Sequence, residues 1–137
     1  MKNYHSTRHQ QLSVSFHEAV LNGIAPDGGL YVKDNLQNAN INLDEMINNT
    51  YQQNAEKVLS VLMDDFNEDQ LKECIKNAYG SQWSNEKIAP VVKAGDVNIL
   101  ELFHGPTSAF KDIALQMLPQ MMSQALKMQP DHQNILI

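Results

Sequence analysis

The sequence lacks the residues that several common kinds of site require. It has a single cysteine, Cys74, so that neither an internal disulfide nor a cysteine-ligated zinc site can form. His5 and His9 are four residues apart, but they lie in a polar terminus with no helical pattern, and we predict no metal site. No apolar run approaches the roughly 18 residues of a membrane span, and the first residues, MKNYHSTRHQQ, lack the apolar core of a signal peptide. These absences favour a cytoplasmic protein.

Basic residues are also scarce. Ten lysines and arginines stand against 16 aspartates and glutamates, which gives a formal net charge of -6. Because nucleic acids and anionic membranes repel a negative protein, we expect neither as a partner, although a local pocket for a small anion is compatible with this charge. Hydrophobic residues make up 42% of the 137 residues, which is enough for a buried core and too many for a disordered chain.

The first 80 residues carry helical patterns with recognisable ends. Ser15 and Glu18 have the spacing of a capping box at the start of a short helix, and Gly23 provides a left-handed stop. A Pro-Asp-Gly-Gly turn at residues 26–29 then leads to a short strand at 30–32.

Three further helical segments are predicted between residues 42 and 80 from the spacing of their apolar residues. Thr50 and Asn67 have the position of N-caps for the second and third segments, and Gly80 closes the third. Cys74 falls on the apolar stripe of the third segment, which favours a small core residue over a nucleophile.

The hydrophobic period changes after residue 90. Strand patterns alternate there with one long helical pattern, an order that is typical of a βαβ unit. The predicted elements are strands at 91–92, 97–103 and 134–137, a turn at 94–96 and a helix at 109–127. We therefore predict an α/β fold class, with a small N-terminal α+β domain at residues 1–90 and the truncated start (strand-helix-strand) of a second domain at residues 91–137.

The predicted helix at 109–127 is amphipathic, and Pro119 should kink it. Its apolar stripe consists of Phe110, Ile113, Ala114, Met117, Met121 and Ala125. Its polar face consists of Asp112, Gln116, Gln120, Ser123, Gln124 and Lys127.

Lys111 is in an unusual position for a lysine. The residues four, seven and eleven positions after it are apolar (Leu115, Leu118 and Met122), so that it should lie on the shoulder of the buried stripe. It also lies in the first helical turn, where the macrodipole disfavours a cation. Desolvation and the dipole both favour a neutral amine, which is a nucleophile towards carbonyl groups. The alternative is a lysine whose stem covers apolar surface while its ammonium reaches water.

Three segments resemble one enzyme family. ELFHGPTSAFKDIALQ, residues 101–116, closely resembles the lysine segment of threonine synthases, whose pattern is E-L-F-H-G-P-T-x-A-F-K-D. YHSTR, residues 4–8, and SFHEAVLNGIAPDGGLYV, residues 15–32, are similar to the N-terminal segments of the same family, in the same order and at the same distances. The resemblance therefore extends along nearly the whole chain, and His9, Lys33 and Pro119 are its visible departures.

Threonine synthases are fold-type II enzymes that use pyridoxal phosphate. The resemblance implies that residues 91–137 begin such a catalytic domain and that Lys111 is both the catalytic residue and the Schiff-base lysine for pyridoxal 5'-phosphate. The implied reaction converts O-phospho-L-homoserine and water to L-threonine and phosphate, with the Lys111 amine moving protons at the α and β carbons of the substrate. The cofactor is the electron sink, and the protein supplies orientation and the base.

His104 and Thr107 flank the lysine in the same segment. The resemblance implies that they help to hold the cofactor or the substrate, whereas a turn residue and a helix N-cap at Thr107 or Ser108 are the structural alternatives. Asp112 should favour the helix N-terminus electrostatically, and no chemical step is assigned to it.

A glycine-rich loop that leads into a helix, the usual cradle for a cofactor phosphate, is missing from the sequence. We therefore expect a fragment that holds the lysine without most of the cofactor site, that is inactive alone, and that has apolar surface for self-association. The alternatives are a threonine synthase-like phospho-lyase that acts on a related substrate, and a non-catalytic interaction module.

Overall fold

The computed structural model describes residues 3–129, except for the side chain of residue 38. The predicted strand at 134–137 lies outside the described residues. Short strands and helices alternate, and the fold is mixed α/β, as predicted. The strands are β1 (Tyr4–Ser6), β2 (Ser13–Val14), β3 (Tyr31–Lys33), β4 (Val91–Ala94) and β5 (Val97–Leu100). The helices are α1 (Phe16–Asn22), α2 (Leu43–Met46), α3 (Tyr51–Leu62), α4 (Glu68–Ala78), α5 (Asp112–Leu115) and α6 (Leu118–Lys127), with a 3-10 turn at Leu36–Asn38.

The N-terminal strands form a three-stranded antiparallel sheet in the order β2-β1-β3. Tyr4 pairs with Val14 on one side and with Lys33 on the other, and Ser6 pairs with Tyr31. The strand predicted at 30–32 therefore exists with a shift of one residue. The pairing of β1 and β2 was not predicted, because both strands are too short and polar for a period-2 pattern.

The starts of α1, α3 and α4 were predicted correctly. The side chains of Ser15, Thr50 and Asn67 each accept a hydrogen bond from the backbone N–H three residues later. The side chain of that later residue in turn accepts a hydrogen bond from the backbone N–H of the cap residue. Each such cap stabilises its helix by about 1 kcal/mol. Gly23 has a positive φ of 68°, as expected for the stop of α1. α4, which is the third of the segments predicted between residues 42 and 80, ends at Ala78. Its C-cap is Tyr79, one residue before the predicted closing residue Gly80.

One hydrophobic core joins α1, α3, α4 and α6. The Phe16 ring packs edge-on against the Phe66 ring with centroids 5.3 Å apart, and Met117 and Ala125 from the second half of the chain belong to the same buried cluster. Cys74 is 1% exposed in this core, as predicted, and burial raises the pKa of its thiol to about 11. The division into two domains at residue 90 stays a prediction.

β4 and β5 form a separate antiparallel hairpin in which Val91 pairs with Leu100 and Ala94 pairs with Val97. Gly95 turns the chain with a φ of 60°, at the predicted turn. Every residue of both strands is exposed. β5 begins at Val97, as predicted, but it ends at Leu100. The prediction from the apolar pattern that this strand extends to residue 103 is therefore wrong.

The prediction of one continuous helix at 109–127 is wrong. The region contains two helices, the single turn of α5 and the ten residues of α6, and Pro119 lies in the first turn of α6. Proline fits there because the first turn has no partner for its missing N–H. The predicted polar face is also partly wrong, because Asp112 and Gln124 are buried, and Phe110 from the predicted apolar stripe is 65% exposed. Gln124 is inside because its amide donates to the Glu73 carboxylate on α4 at 2.6 Å.

Across residues 3–129, no helix has both the length and the apolar character that crossing a membrane requires.

Candidate active site around Lys111

Lys111 is the residue immediately before α5, with helical backbone angles (φ -66°, ψ -19°). Its side chain is exposed, and so are Leu115 and Leu118, at 50% and 37%. The predicted position on a buried shoulder is therefore wrong for the described part of the chain, because that position assumed one continuous helix. Within residues 3–129, no hydrogen bond or ion pair engages the Lys111 ammonium. The described residues therefore leave the Lys111 side chain accessible from solvent.

The turn that precedes Lys111 is held by the carboxylate of Asp112. The Thr107 N–H donates to Asp112 Oδ2 at 2.8 Å, and the Thr107 hydroxyl donates to Asp112 Oδ1 at 2.7 Å. Ser108 has a φ of 57°, and its N–H donates to the Gly105 carbonyl at 3.0 Å. Neither Thr107 nor Ser108 is the N-cap of α5, because the cap position belongs to Lys111. Asp112 is an acidic residue in the first turn of α5, as predicted, and its carboxylate also binds the preceding turn.

Gly105 is required by the same arrangement. A Cβ at this position would lie 2.7 Å from Asp112 Cγ, and it would overlap Asp112 Cβ and Oδ2. Asp112 is 2% exposed, so its side chain cannot move away into water. The glycine therefore permits the close approach that brings the carboxylate to Thr107.

His104 links the lysine segment to the preceding part of the chain. Its Nε2 lies 2.7 Å from Glu101 Oε2, and its Nδ1 lies 3.1 Å from the Ser84 hydroxyl. Because a carboxylate only accepts, Nε2 donates to Glu101. The Ser84 N–H also donates to the His104 carbonyl at 2.9 Å. Both ring nitrogens are therefore engaged within the chain.

Tyr79 anchors α5 to the end of α4. Its hydroxyl donates to the Ile113 carbonyl at 2.9 Å, and burial, with a smaller contribution from the neighbouring Tyr51, raises its pKa above the ordinary value, which keeps the hydroxyl protonated. Asn77 on α4 donates to Gln120 on α6 at 3.2 Å. Our sequence reasoning missed Tyr79, Ser84 and Glu101, and only the spacing of Glu101 and His104 carried a local signal for their contact.

The two N-terminal motifs meet in a second cluster. The Ser6 hydroxyl lies 2.8 Å from both carboxylate oxygens of Asp27, and the Gly29 N–H donates to Asp27 Oδ1 at 2.9 Å. These bonds, first from Gly29 and then from Ser6, hold the pKa of the Asp27 carboxyl below its usual value. Arg8 donates to the Asp27 carbonyl at 3.0 Å. This cluster closes the 26–29 turn onto β1, which is a structural role.

The motifs of the sequence thus lie in two local clusters, and comparison with known proteins identifies the family. A model described as the threonine synthase N terminus matches residues 3–79 of this chain, more than half of its length. The chain belongs to the threonine synthase family. It is 35% identical to the threonine synthase of Methylobacillus glycogenes, over 97% of this chain and 30% of that protein.

Two further comparisons agree with the family. The chain is 37% identical to the human threonine synthase-like 1, over 88% of this chain and 18% of that protein. Its structure matches the crystal structure of PLP-bound threonine synthase from Brucella melitensis with a TM-score of 0.79 and 30% identity, over 93% of this chain and 28% of that one. The chain therefore spans less than a third of the length of these threonine synthase relatives.

The residues that the structure describes fit part of a threonine synthase cofactor site. Lys111 offers a free amine beside a turn whose backbone is fixed by Asp112. The glycines at 23, 28, 29, 80, 95 and 105 do not form a glycine-rich loop that leads into a helix long enough to bind a cofactor phosphate at its N-terminus. In the described range there is also no group of three or more histidine, cysteine, aspartate or glutamate residues arranged to hold a metal ion. The described residues thus contain an amine that could bind a carbonyl cofactor covalently, and they contain no cradle for a phosphate.

Proposed function

We propose that this chain is the N-terminal part of an enzyme that converts O-phospho-L-homoserine and water to L-threonine and phosphate, with pyridoxal 5'-phosphate held by Lys111. The observation that carries the proposal is the Lys111 amine, which is exposed, has no partner within residues 3–129, and lies in the segment that resembles the lysine segment of the family. Pyridoxal phosphate, when bound, supplies an electron sink for the substrate carbons next to the amine.

The role that we propose for Lys111 is twofold. Its amine binds the cofactor covalently, and after the substrate has displaced it, the amine moves protons at the α and β carbons of the substrate. The exposed position of Lys111, directly after a turn held by the Asp112 carboxylate, supports the proposal.

We propose that His104 and Thr107 act by holding the backbone of the lysine segment. Both His104 nitrogens and the Thr107 hydroxyl are bonded to other residues of the chain. Contact of these side chains with the cofactor or the substrate would require them to exchange those bonds. We therefore propose that they orient the lysine segment, and that their groups face the cofactor only after such an exchange.

The isolated chain should be inactive. It contains no cradle for the phosphate of the cofactor among its described residues, and we propose that the missing part of the site comes from the further length that the relatives have. The exposed valines and leucines of the β4–β5 hairpin support our proposal that the chain alone self-associates. The cytoplasm remains the proposed location on the grounds of the sequence alone.

A hybrid enzyme tests the proposal. In the hybrid, this chain replaces the matching N-terminal part of the Escherichia coli threonine synthase, whose structure it matches with a TM-score of 0.72. Gel filtration and circular dichroism establish folding before the assay. We expect threonine and phosphate from O-phospho-L-homoserine, and loss of both products and of the bound-cofactor absorbance in Lys111→Ala. A folded Lys111→Ala hybrid that keeps the absorbance would refute the role of Lys111. Lys127→Ala, an exposed lysine on α6, is the matched control.

A threonine synthase-like phospho-lyase is the second candidate, because the chain is as similar to the human threonine synthase-like 1 as to bacterial threonine synthases. Product analysis separates the two. Threonine supports the first function, whereas phosphate release with another organic product supports the second. A purely interacting module would bind no cofactor in either experiment.

A further inference from the structure

Asp112 is the most deeply buried charged residue in the lysine segment. It is 2% exposed, and both oxygens of its carboxylate accept hydrogen bonds from Thr107, one from the backbone and one from the hydroxyl. Burial of a carboxylate is costly unless such bonds compensate it. The arrangement is therefore a built feature of the chain, and not an incidental surface contact.

We propose that Asp112 is a positioning residue that sets the direction in which Lys111 leaves the start of α5. The inference rests on the proposed role of Lys111 as the residue that bonds to the cofactor. Asp112 acts through the turn at residues 105–108 and not on the reacting atoms. It also differs from a charge partner, since no ion pair joins its carboxylate to Lys111.

The backbone of Lys111 is fixed from both sides. The Asp112 N–H donates to the Ala109 carbonyl at 3.0 Å, and the Leu115 N–H donates to the Lys111 carbonyl at 2.8 Å. α5 has only four residues, which is too short to be stable from its own helical bonds. The orientation of Lys111 therefore depends on contacts outside the helical bonds, namely the bonds from Thr107 to the Asp112 carboxylate and the bond from Tyr79 to the Ile113 carbonyl.

The carboxylate offers an acceptor oxygen to each of the two Thr107 donors. An asparagine at this position has nearly the same shape but no charge, and its NH2 group can take the place of one oxygen only by donating to the Thr107 hydroxyl. Asp112→Asn therefore replaces two hydrogen bonds to a charged group by weaker neutral ones, while the volume of the side chain is retained. Thr107→Val removes only the hydroxyl donor, and Thr107→Ser keeps both donors.

The first test uses the 137-residue chain without cofactor. Nuclear magnetic resonance relaxation measures the order parameter of the Lys111 backbone amide, and hydrogen exchange measures protection of the Thr107 amide. We expect an order parameter near that of rigid backbone, about 0.85, in the wild-type chain and below about 0.6 in Asp112→Asn. Asp96→Asn, in the exposed hairpin turn, should leave both values unchanged. An unchanged order parameter in Asp112→Asn overturns the inference, whatever the cofactor does.

The second test uses the hybrid enzyme. Displacement of a reacting group by about 1 Å costs about 100-fold in rate, so that kcat of Asp112→Asn should fall about 100-fold with KM for O-phospho-L-homoserine within twofold of the wild type. The visible circular dichroism of the bound cofactor, which reports its orientation, should change in Asp112→Asn, whereas the Thr107→Ser variant should keep the wild-type kcat and dichroism. If Asp112→Asn does not fold, Thr107→Val carries the test, and unchanged kcat and dichroism in that variant overturn the inference.

Failure of the two proposals can be told apart. Cofactor absorbance that survives Lys111→Ala refutes the proposed function. A hybrid in which Lys111→Ala behaves as expected, and Asp112→Asn keeps wild-type kcat and dichroism, refutes only the positioning role.

Discussion

Replacement of Gly105 by alanine should destabilise the whole chain. The new methyl group would lie 2.7 Å from Asp112 Cγ and closer to its Cβ and Oδ2, against a side chain that is 2% exposed. Such overpacking costs about 1–3 kcal/mol. Displacement of the carboxylate also weakens its bonds to Thr107, and hydrogen bonds to a charged group contribute about 1.5–3 kcal/mol. We expect a total near 3 kcal/mol in the free energy of unfolding.

The loss should be seen in global unfolding, because Met117 and Ala125, which follow α5, belong to the common core. With an m-value of about 2 kcal/mol/M, the urea midpoint should fall by about 1.5 M. Gly95→Ala is the control, since a Cβ there meets nothing within 4 Å and only the φ of 60° is unfavourable. Its cost is about 1 kcal/mol, or about 0.5 M. A fall for Gly105→Ala no larger than that of the control would refute the close-approach argument.

Three further predictions concern the N-terminal sheet and the core. Gly29→Ala should lower the urea midpoint more than Gly23→Ala, because its methyl group would overlap the Ser6 hydroxyl whereas Gly23 faces open space; equal midpoints would contradict this. The Cys74 thiol, with its pKa raised to about 11 by burial, should react with a disulfide reagent at pH 8 at least about 100-fold faster in urea than in the native chain. Because the folded-state pKa of Asp27 is lowered, its carboxylate stabilises the fold above the unfolded-state pKa of about 3.9, and this contribution is lost as the pH falls through the folded-state value. The difference in urea midpoint between wild type and Asp27→Asn should therefore shrink from pH 7 to pH 3, and a constant difference would contradict it.

The features that were predictable from the sequence are those decided by neighbouring residues. Ser15, Thr50 and Asn67 were identified as caps because each bond spans only three residues. Cys74 was placed in the core because the 3.6-residue period of α4 is uninterrupted. The lysine segment was located through its motif, which needs no knowledge of the fold.

The rest depended on contacts between distant residues. Asp112 was assigned to a polar face by helical spacing, and the partner that buries it lies in the turn before the helix. The break between α5 and α6 separated Lys111 from the apolar stripe that had suggested its burial. Ser84 and His104 meet across 20 residues, and nothing near either residue in the sequence indicates that contact.

The packing of α6 against α4 has a consequence for inheritance. Gln124 and Gln120 of α6 bond to Glu73 and Asn77 of α4, and Ala125 is fully buried in the core that the first 80 residues form. A genetic exchange with a crossover near residue 90 would therefore pair a helix with a surface that it did not evolve beside. Such recombinants should be selected against unless the parents share these contacts. We therefore expect the N-terminal part of the chain and the lysine segment to be inherited together.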